Sequence, residues 1–183
     1  EVRIYNYART PTQIAWDFNR GAPIAQYDFD ECSGTTLHDV APKADKSTAG
    51  YDGTISAGSG NSVGVCNGTS GDMWSDGTTG KYSSSLDFDG TDDYIQITNG
   101  TSTPGTGFSM SMWVYPTAVK TWARFIDFGN GSGADNILLA RSSSSNDLVF
   151  KCYNGTTDSG GITATGAIEL NKWQHFAATL DSA

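Results

Sequence analysis

The sequence predicts an all-β protein, a β-sandwich, on three observations. The first is period-two alternation: Phe108, Met110, Met112 and Val114 fall on one face of a strand, Ser109, Ser111 and Trp113 on the other, and residues 172–181 (KWQHFAATLD) repeat the habit. The second is turn chemistry. Among many Ser, Thr, Asn and Asp stand 22 Gly, which suits short strands and leaves little material for long helices. The third is length, since 183 residues can bury one substantial core and a sandwich of this size is ordinarily one main domain.

Taken in order, residues 1–7 (EVRIYNY) open as a strand, with Val2, Ile4 and Asn6 alternating against Arg3, Tyr5 and Tyr7. One short helix follows near the N-terminus, over residues 10–20. Thr10 is its N-cap, Pro11 suits the first helical position, Gln13 completes a capping box and Gly21 offers a left-handed stop. Residues 24–29 and 51–55 read as strands, and 56–81 as a Gly, Ser and Asn-rich loop. In residues 81–97 (KYSSSLDFDGTDDYIQI), Leu86 and Phe88 alternate with Asp87 and Asp89, the Gly90-Thr91-Asp92 run turns the chain, and Ile95 and Ile97 alternate with Tyr94 and Gln96. That is the pattern of a β-hairpin with one apolar face. The strand at 108–116 is apolar on both faces, because Trp113 and Tyr115 share its second side; it suits the inside of a sandwich or a concave sheet that something covers. Short strands at 124–128, 136–141, 147–153, 168–170 and 173–180 complete the series, at the spacing of a jelly roll.

Three stretches carry a resemblance: K-Y-x-x-x-L-x-F-D-G-x-D-D-Y at 81–94, F-S-x-x-x-W-x-x-P at 108–116, and W-x-H-x-A at 173–177. Together they resemble the laminin-G-like, concanavalin A-like jelly-roll family. Residues 1–20 are similar to the last strand and short helix that end such a module, and 21–183 to a module lacking its final strands. The resemblance therefore implies a permuted arrangement, a module's end followed by the next module's beginning. On that arrangement residues 1–7 would pair antiparallel beside 24–29, in the same chain or in a neighbouring copy, because an unpaired sheet edge invites a strand. The function implied is a non-enzymatic extracellular or cell-surface module of an adhesion, surface or filament protein, whose partners are other copies or neighbouring modules. The alternative is calcium-dependent carbohydrate binding, with glycans as partners.

Charge narrows the partners. The formal net charge is −9, from 17 Asp and three Glu against 11 Lys plus Arg, so the surface repels phosphate backbones and anionic headgroups. Nucleic acid is not expected. No apolar run approaches the roughly 20 residues that span a bilayer, so no membrane insertion is expected in this segment. Excess carboxylate favours solubility, or a hard cation such as calcium.

Several constellations bear on chemistry. Cys32 and Cys66 flank the loop-rich segment, and in a secreted protein a bridge between them would stabilise it by roughly 3–4 kcal/mol; unpaired buried thiols are the alternative. Cys152 is left over as a small core residue. Asp89, Asp92 and Asp93 crowd one turn, which fits a solvated Asp-Gly turn or a calcium site. Asp135-Asn136 falls where the pentraxin branch of the resembled family carries a calcium-binding Asp-Asn pair. Trp113 and Tyr115 could stack on sugar rings, or be covered by a loop. Asn67, Asn99, Asn130 and Asn154 each begin Asn-Gly-Thr or Asn-Gly-Ser, which suits both an N-glycosylation acceptor and a hairpin turn. No pair of carboxylates is spaced for glycoside hydrolysis, since the Glu residues stand at 1, 31 and 169, and neither His38 nor His175 has a nucleophile motif beside it. The chain reads as non-enzymatic.

Overall fold

The computed structural model describes residues 5–10, 13, 23–42, 50–97, 107–129 and 134–180. Among them are nine strands: β1 (Thr36–Leu37), β2 (Gly53–Ser56), β3 (Tyr94–Ile97), β4 (Phe108–Val114), β5 (Arg124–Phe128), β6 (Ile137–Arg141), β7 (Leu148–Asn154), β8 (Thr157–Ala164) and β9 (Gln174–Leu180). Every pairing between them is antiparallel. The chain divides into two compact units, Glu1–Thr101 and Ser102–Ala183. Each is taken by itself.

The first unit holds the sheet β1-β2-β3. Its core is Leu37, Ile55, Met73 and Trp74, all buried, with the Trp74 indole donating Nε1–H to the Gly34 carbonyl at 3.1 Å. Residues 56–81, expected to be loop, thus contribute the two most deeply buried side chains of the unit. They lie on turns and isolated bridges and show no period, so periodicity could not find them. The expected hairpin over 81–97 does not form. Ile95 pairs with Ile55 of β2, while Leu86 bridges to Trp74. Gly53 allows the closeness of β2 and β3, because a Cβ there would stand 2.7 Å from Ile95 Cγ2.

The Cys32–Cys66 disulfide is present, with Cα atoms 4.8 Å apart and Cys66 N donating to Cys32 O at 2.9 Å. The capping box also forms. Thr10 Oγ1 accepts from Gln13 N at 3.2 Å, and Gln13 Oε1 accepts from Thr10 N at 3.0 Å. The rest of the expected helix, the boundary at 20–21 and residues 1–4 of the expected first strand lie outside the described residues. Residues 5–7 follow bends, with the Tyr5 and Tyr7 rings 5.7 Å apart. Residues 24–29 form no strand: 24 and 25 are bends and Phe29 takes φ +61°, and the segment is held by side chains such as Asp39, whose Oδ1 accepts from Gln26 N.

The second unit is a two-layer sandwich. The β4-β9 pair faces the sheet β5-β6-β7-β8, and Met110, Leu139, Phe150, Ile168, Phe176 and Ala178 fill the space between. Burying each of the larger of these side chains contributes roughly 1.5–3 kcal/mol. Phe125 packs edge-on against Phe176 with ring centroids 5.2 Å apart. The alternation anticipated for 108–116 is observed, since Met110 and Met112 face the core and Ser109, Ser111 and Trp113 do not. Strand β8 was not anticipated. Its sequence TDSGGITA has no apolar period, all eight residues are exposed, and Gly160 takes φ +110° where the β7–β8 register shifts.

Candidate functional site

The outer face of the β4-β9 pair is built by strand alternation in two registers at once. With Met110 and Met112 of β4 and Phe176 and Ala178 of β9 turned to the core, the intervening residues must face the other way. The register pairs Ser109 with Thr179, Ser111 with Ala177 and Trp113 with His175. Ser109 and Thr179 hydroxyls hydrogen-bond at 3.1 Å. The Trp113 and His175 rings lie 5.2 Å apart at 61°, and one rung beyond β4 and β9 the Tyr115 and Trp173 rings lie 5.5 Å apart at 59°.

Two aromatic rungs therefore stand side by side, about 7 Å apart along the strands. Trp113 is 39% exposed and Tyr115 44%. None of the eight residues on this face is Asp, Glu, Lys or Arg, so it is an uncharged strip on a chain of net charge −9. Partly exposed rings with flanking hydroxyls can hold a flat, hydroxyl-bearing ligand by stacking its C–H surface. Sequence reading found Trp113 and Tyr115 but not their ring partners. The available signal was the matched spacing Trp-x-Tyr at 113–115 and Trp-x-His at 173–175, which an antiparallel register sets opposite each other.

The remaining candidates fall elsewhere. Asp89, Asp92 and Asp93 present carboxylate oxygens within 4.8 Å of one another. Most of these oxygens are engaged: Asp93 Oδ1 accepts from Gly58 N at 2.7 Å, its Oδ2 from Asn61 Nδ2 and Asp89 N, Asp92 Oδ2 from Ser59 N, and Asp89 Oδ1 from Thr91 N. Partial burial pushes the Asp93 carboxyl up, and these donors outweigh it, holding it below the usual carboxylate range. The cluster fastens the loop after β2 to the turn before β3.

Asp135 and Asn136 are also engaged. Asp135, with φ +53°, accepts from Gly155 N at 2.6 Å through Oδ1. The fully buried Asn136 accepts from Ala134 N and donates to Asp127 Oδ1. This pair stands in the second unit, whereas Asp92 and Asp93 stand in the first. Asn67 and Asn154 are exposed, and Asn67 Oδ1 caps Thr69 N in an Asx turn; Asn99 and Asn130 lie outside the described residues. Glu31 Oε1 accepts from His38 N and Glu169 pairs with Lys172. Burial pushes the Cys152 thiol up, which disfavours the reactive thiolate. No helix among the described residues is long and apolar enough to cross a membrane.

No curated protein and no solved structure matches the chain. Residues 89–183, which include both layers of the second unit's sandwich and its aromatic rungs, match a laminin G-type family model described as the concanavalin A-like lectin/glucanases superfamily, and the chain belongs to that family.

Proposed function

We propose that the chain is a non-enzymatic, extracellular adhesion module that binds carbohydrate through the outer face of β4 and β9. The observation that carries this reading is the pair of aromatic rungs, Trp113 with His175 and Tyr115 with Trp173, on an uncharged face edged by Ser and Thr. The disulfide supports an oxidising compartment. A glycan array tests the reading: wild-type chain gives saturable binding, and W113A loses it with an unchanged far-ultraviolet circular dichroism spectrum. Binding by W113A equal to wild type removes the platform.

A second reading, assembly by strand addition, is favoured by β8. It is a sheet edge, exposed along its whole length, and Ile162 beside Phe150 is 66% exposed. Multi-angle light scattering across a concentration series tests it; a monomer at every concentration rules out self-assembly of this chain.

Two modifications of the surface belong to the same proposal. Among the described residues Asp89 Oδ2 and Asp92 Oδ1 accept no hydrogen bond, and they could take a calcium ion whose remaining ligands are waters, a weak surface site. Isothermal titration without heat in the millimolar range would exclude it. Asn67 and Asn154 are accessible acceptors for N-glycans in a host that makes them, and intact mass equal to the bare polypeptide would show them unused.

A further inference from the structure

Two Asn-Gly-Thr stretches, at 67–69 and 154–156, share one local sequence and stand in opposite settings. An asparagine before glycine carries its own electrophile and nucleophile: its side-chain amide carbon, and the nitrogen of the next residue, which no Cβ of that residue screens. Joining them closes a five-membered ring. Whether the ring can close depends on where the glycine N–H is engaged, because a nitrogen whose proton is held by an acceptor must give up that bond before it can attack.

At Asn67 the chain is held on both sides of the glycine and not at it. Cys66 N donates to Cys32 O beside the disulfide, Asn67 N donates to Val65 O at 2.7 Å, and Thr69 O accepts from Asp72 N at 3.2 Å. Thr69 N donates to Asn67 Oδ1 at 2.9 Å, so Asn67 Cγ and Gly68 N belong to one hydrogen-bonded ring. That ring already contains every ring atom of the five-membered product, and only the bond from Gly68 N to Asn67 Cγ is missing. The Thr69 N–H also stands at the oxygen on which negative charge grows as Cγ is attacked. Asn67, Gly68 and Thr69 are exposed, Gly68 takes φ +72°, and nothing among the described residues accepts the Gly68 N–H. The second stretch is closed off. Gly155 N donates to Asp135 Oδ1 at 2.6 Å, Gly155 O accepts from Asp135 N at 3.0 Å, and Asn154 ends β7 paired with Thr157. A hydrogen bond to a carboxylate is one of the strong ones.

We infer that Asn67 is a self-modification site that converts to aspartate and isoaspartate in the folded chain, whereas Asn154 is protected by Asp135. Water is the only other reactant. The Gly68 nitrogen gives its proton to hydroxide or water, and its electron pair forms the bond to Asn67 Cγ. The tetrahedral carbon then expels the side-chain nitrogen, which takes up a proton and leaves as ammonia. Water opens the resulting succinimide at one of its two carbonyls, giving aspartate or, with the main chain rerouted through the side chain, isoaspartate. One water is consumed and one ammonia released, and nothing is oxidised or reduced. The conversion adds a negative charge and erases the Asn-Gly-Thr acceptor, so a glycan at Asn67 and this change exclude each other. None of this requires the β4-β9 face to bind anything.

The test is tryptic peptide mapping by mass spectrometry of the full, disulfide-bonded chain, produced without N-glycans and stored folded at neutral pH for several weeks. An unstored sample, reduced and digested identically, supplies the baseline. The four Asn-Gly pairs fall in separate peptides, 47–81, 82–120, 125–141 and 152–172, and fragment ions tell Asn67 from Asn61 in the first. Asn67 should convert at least about tenfold faster than Asn154, the factor expected from the hydrogen bond that Gly155 must first release. In the reduced chain held unfolded in urea the two rates should come together, because the local sequences are the same. D135A, with its circular dichroism spectrum unchanged, should bring Asn154 up toward the rate of Asn67; the wild-type comparison stands if that variant does not fold. No conversion at Asn67 on storage, or equal or faster conversion at Asn154 in the folded chain, overturns the inference. A ratio that persists in the unfolded chain overturns it too, since sequence and not the Asp135 bond would then set the rates.

Discussion

The Asn136 side chain, wholly buried, donates Nδ2–H to Asp127 Oδ1 at 2.7 Å while its own Oδ1 accepts from Ala134 N at 2.8 Å, so it ties the start of β6 to β5. Gly129 makes room for it, since a Cβ there would fall 1.9 Å from Asn136 Nδ2. Truncating the buried amide removes both hydrogen bonds and leaves a void where it packed, and N136A should lose roughly 1–3 kcal/mol of stability. Urea denaturation of N136A at neutral pH measures this, and an unchanged midpoint would show the amide to be dispensable.

The Cys32–Cys66 bridge closes a loop with a sequence separation of 34. On the chain-entropy model a loop of that size stabilises by about 3–4 kcal/mol. Gly77 lies against it, where an added Cβ would come 3.4 Å from Cys66 Cβ at φ +83°. The C32S/C66S double variant should therefore unfold at a markedly lower denaturant concentration, read through the fluorescence of the buried Trp74. Equal midpoints for the variant and the oxidised wild type would mean the bridge does not hold the first unit.

How far the sequence reaches depends on the distance over which each feature is encoded. The β4 and β9 strands were legible because seven alternating residues in each state their own face, and Trp113 and Tyr115 followed from that alternation. Their partners His175 and Trp173 depend on a register set some sixty residues downstream, which no local window contains. The 81–97 stretch was misread because alternation on both sides of a Gly turn suits a hairpin equally well as two strands that pair elsewhere; Gly53, Asp93 and the demands of Trp74 decide the matter through tertiary packing. Arg141, buried at the end of β6, carried no sequence signal, since a lone Arg at a strand end reads as surface.

That Arg is the subject of the next expectation. Replacing Arg141 by Ala removes buried packing and leaves the Ser145 carbonyl and Asn146 side chain without their donors, so R141A should lose roughly 2–4 kcal/mol. Lys places its three donors on a single compact nitrogen in place of a planar fork, so R141K should recover only part of the loss. Native-state hydrogen exchange sharpens the prediction: the Trp122 amide, which bonds to Ser143 O, should exchange faster in R141A than in wild type relative to the amides of β7. Uniform acceleration across the unit would indicate global destabilisation without a bracing role.

The last expectation concerns pH. Asp93 accepts hydrogen bonds from Gly58 N, Asn61 Nδ2 and Asp89 N, which favour its ionised form and hold its folded-state affinity for protons below the unfolded value of about 3.9 despite partial burial. A carboxyl with a lowered folded value contributes stability that is present above the unfolded value and is lost as pH falls through the folded one. Asp87 has the opposite sign. Burial, with repulsion from Asp76, pushes its carboxyl up, so its contribution favours the protonated form and is lost as pH rises through the folded value. D93N should therefore be less stable than wild type at pH 7, with the gap narrowing below about pH 4, whereas D87N should be slightly more stable at pH 7 and lose that advantage in acid. Thermal melts of both variants at a series of pH values check the pair of signs. Parallel melting curves for D93N and wild type from pH 7 down to pH 3 would mean that these hydrogen bonds do not favour the carboxylate over the neutral acid.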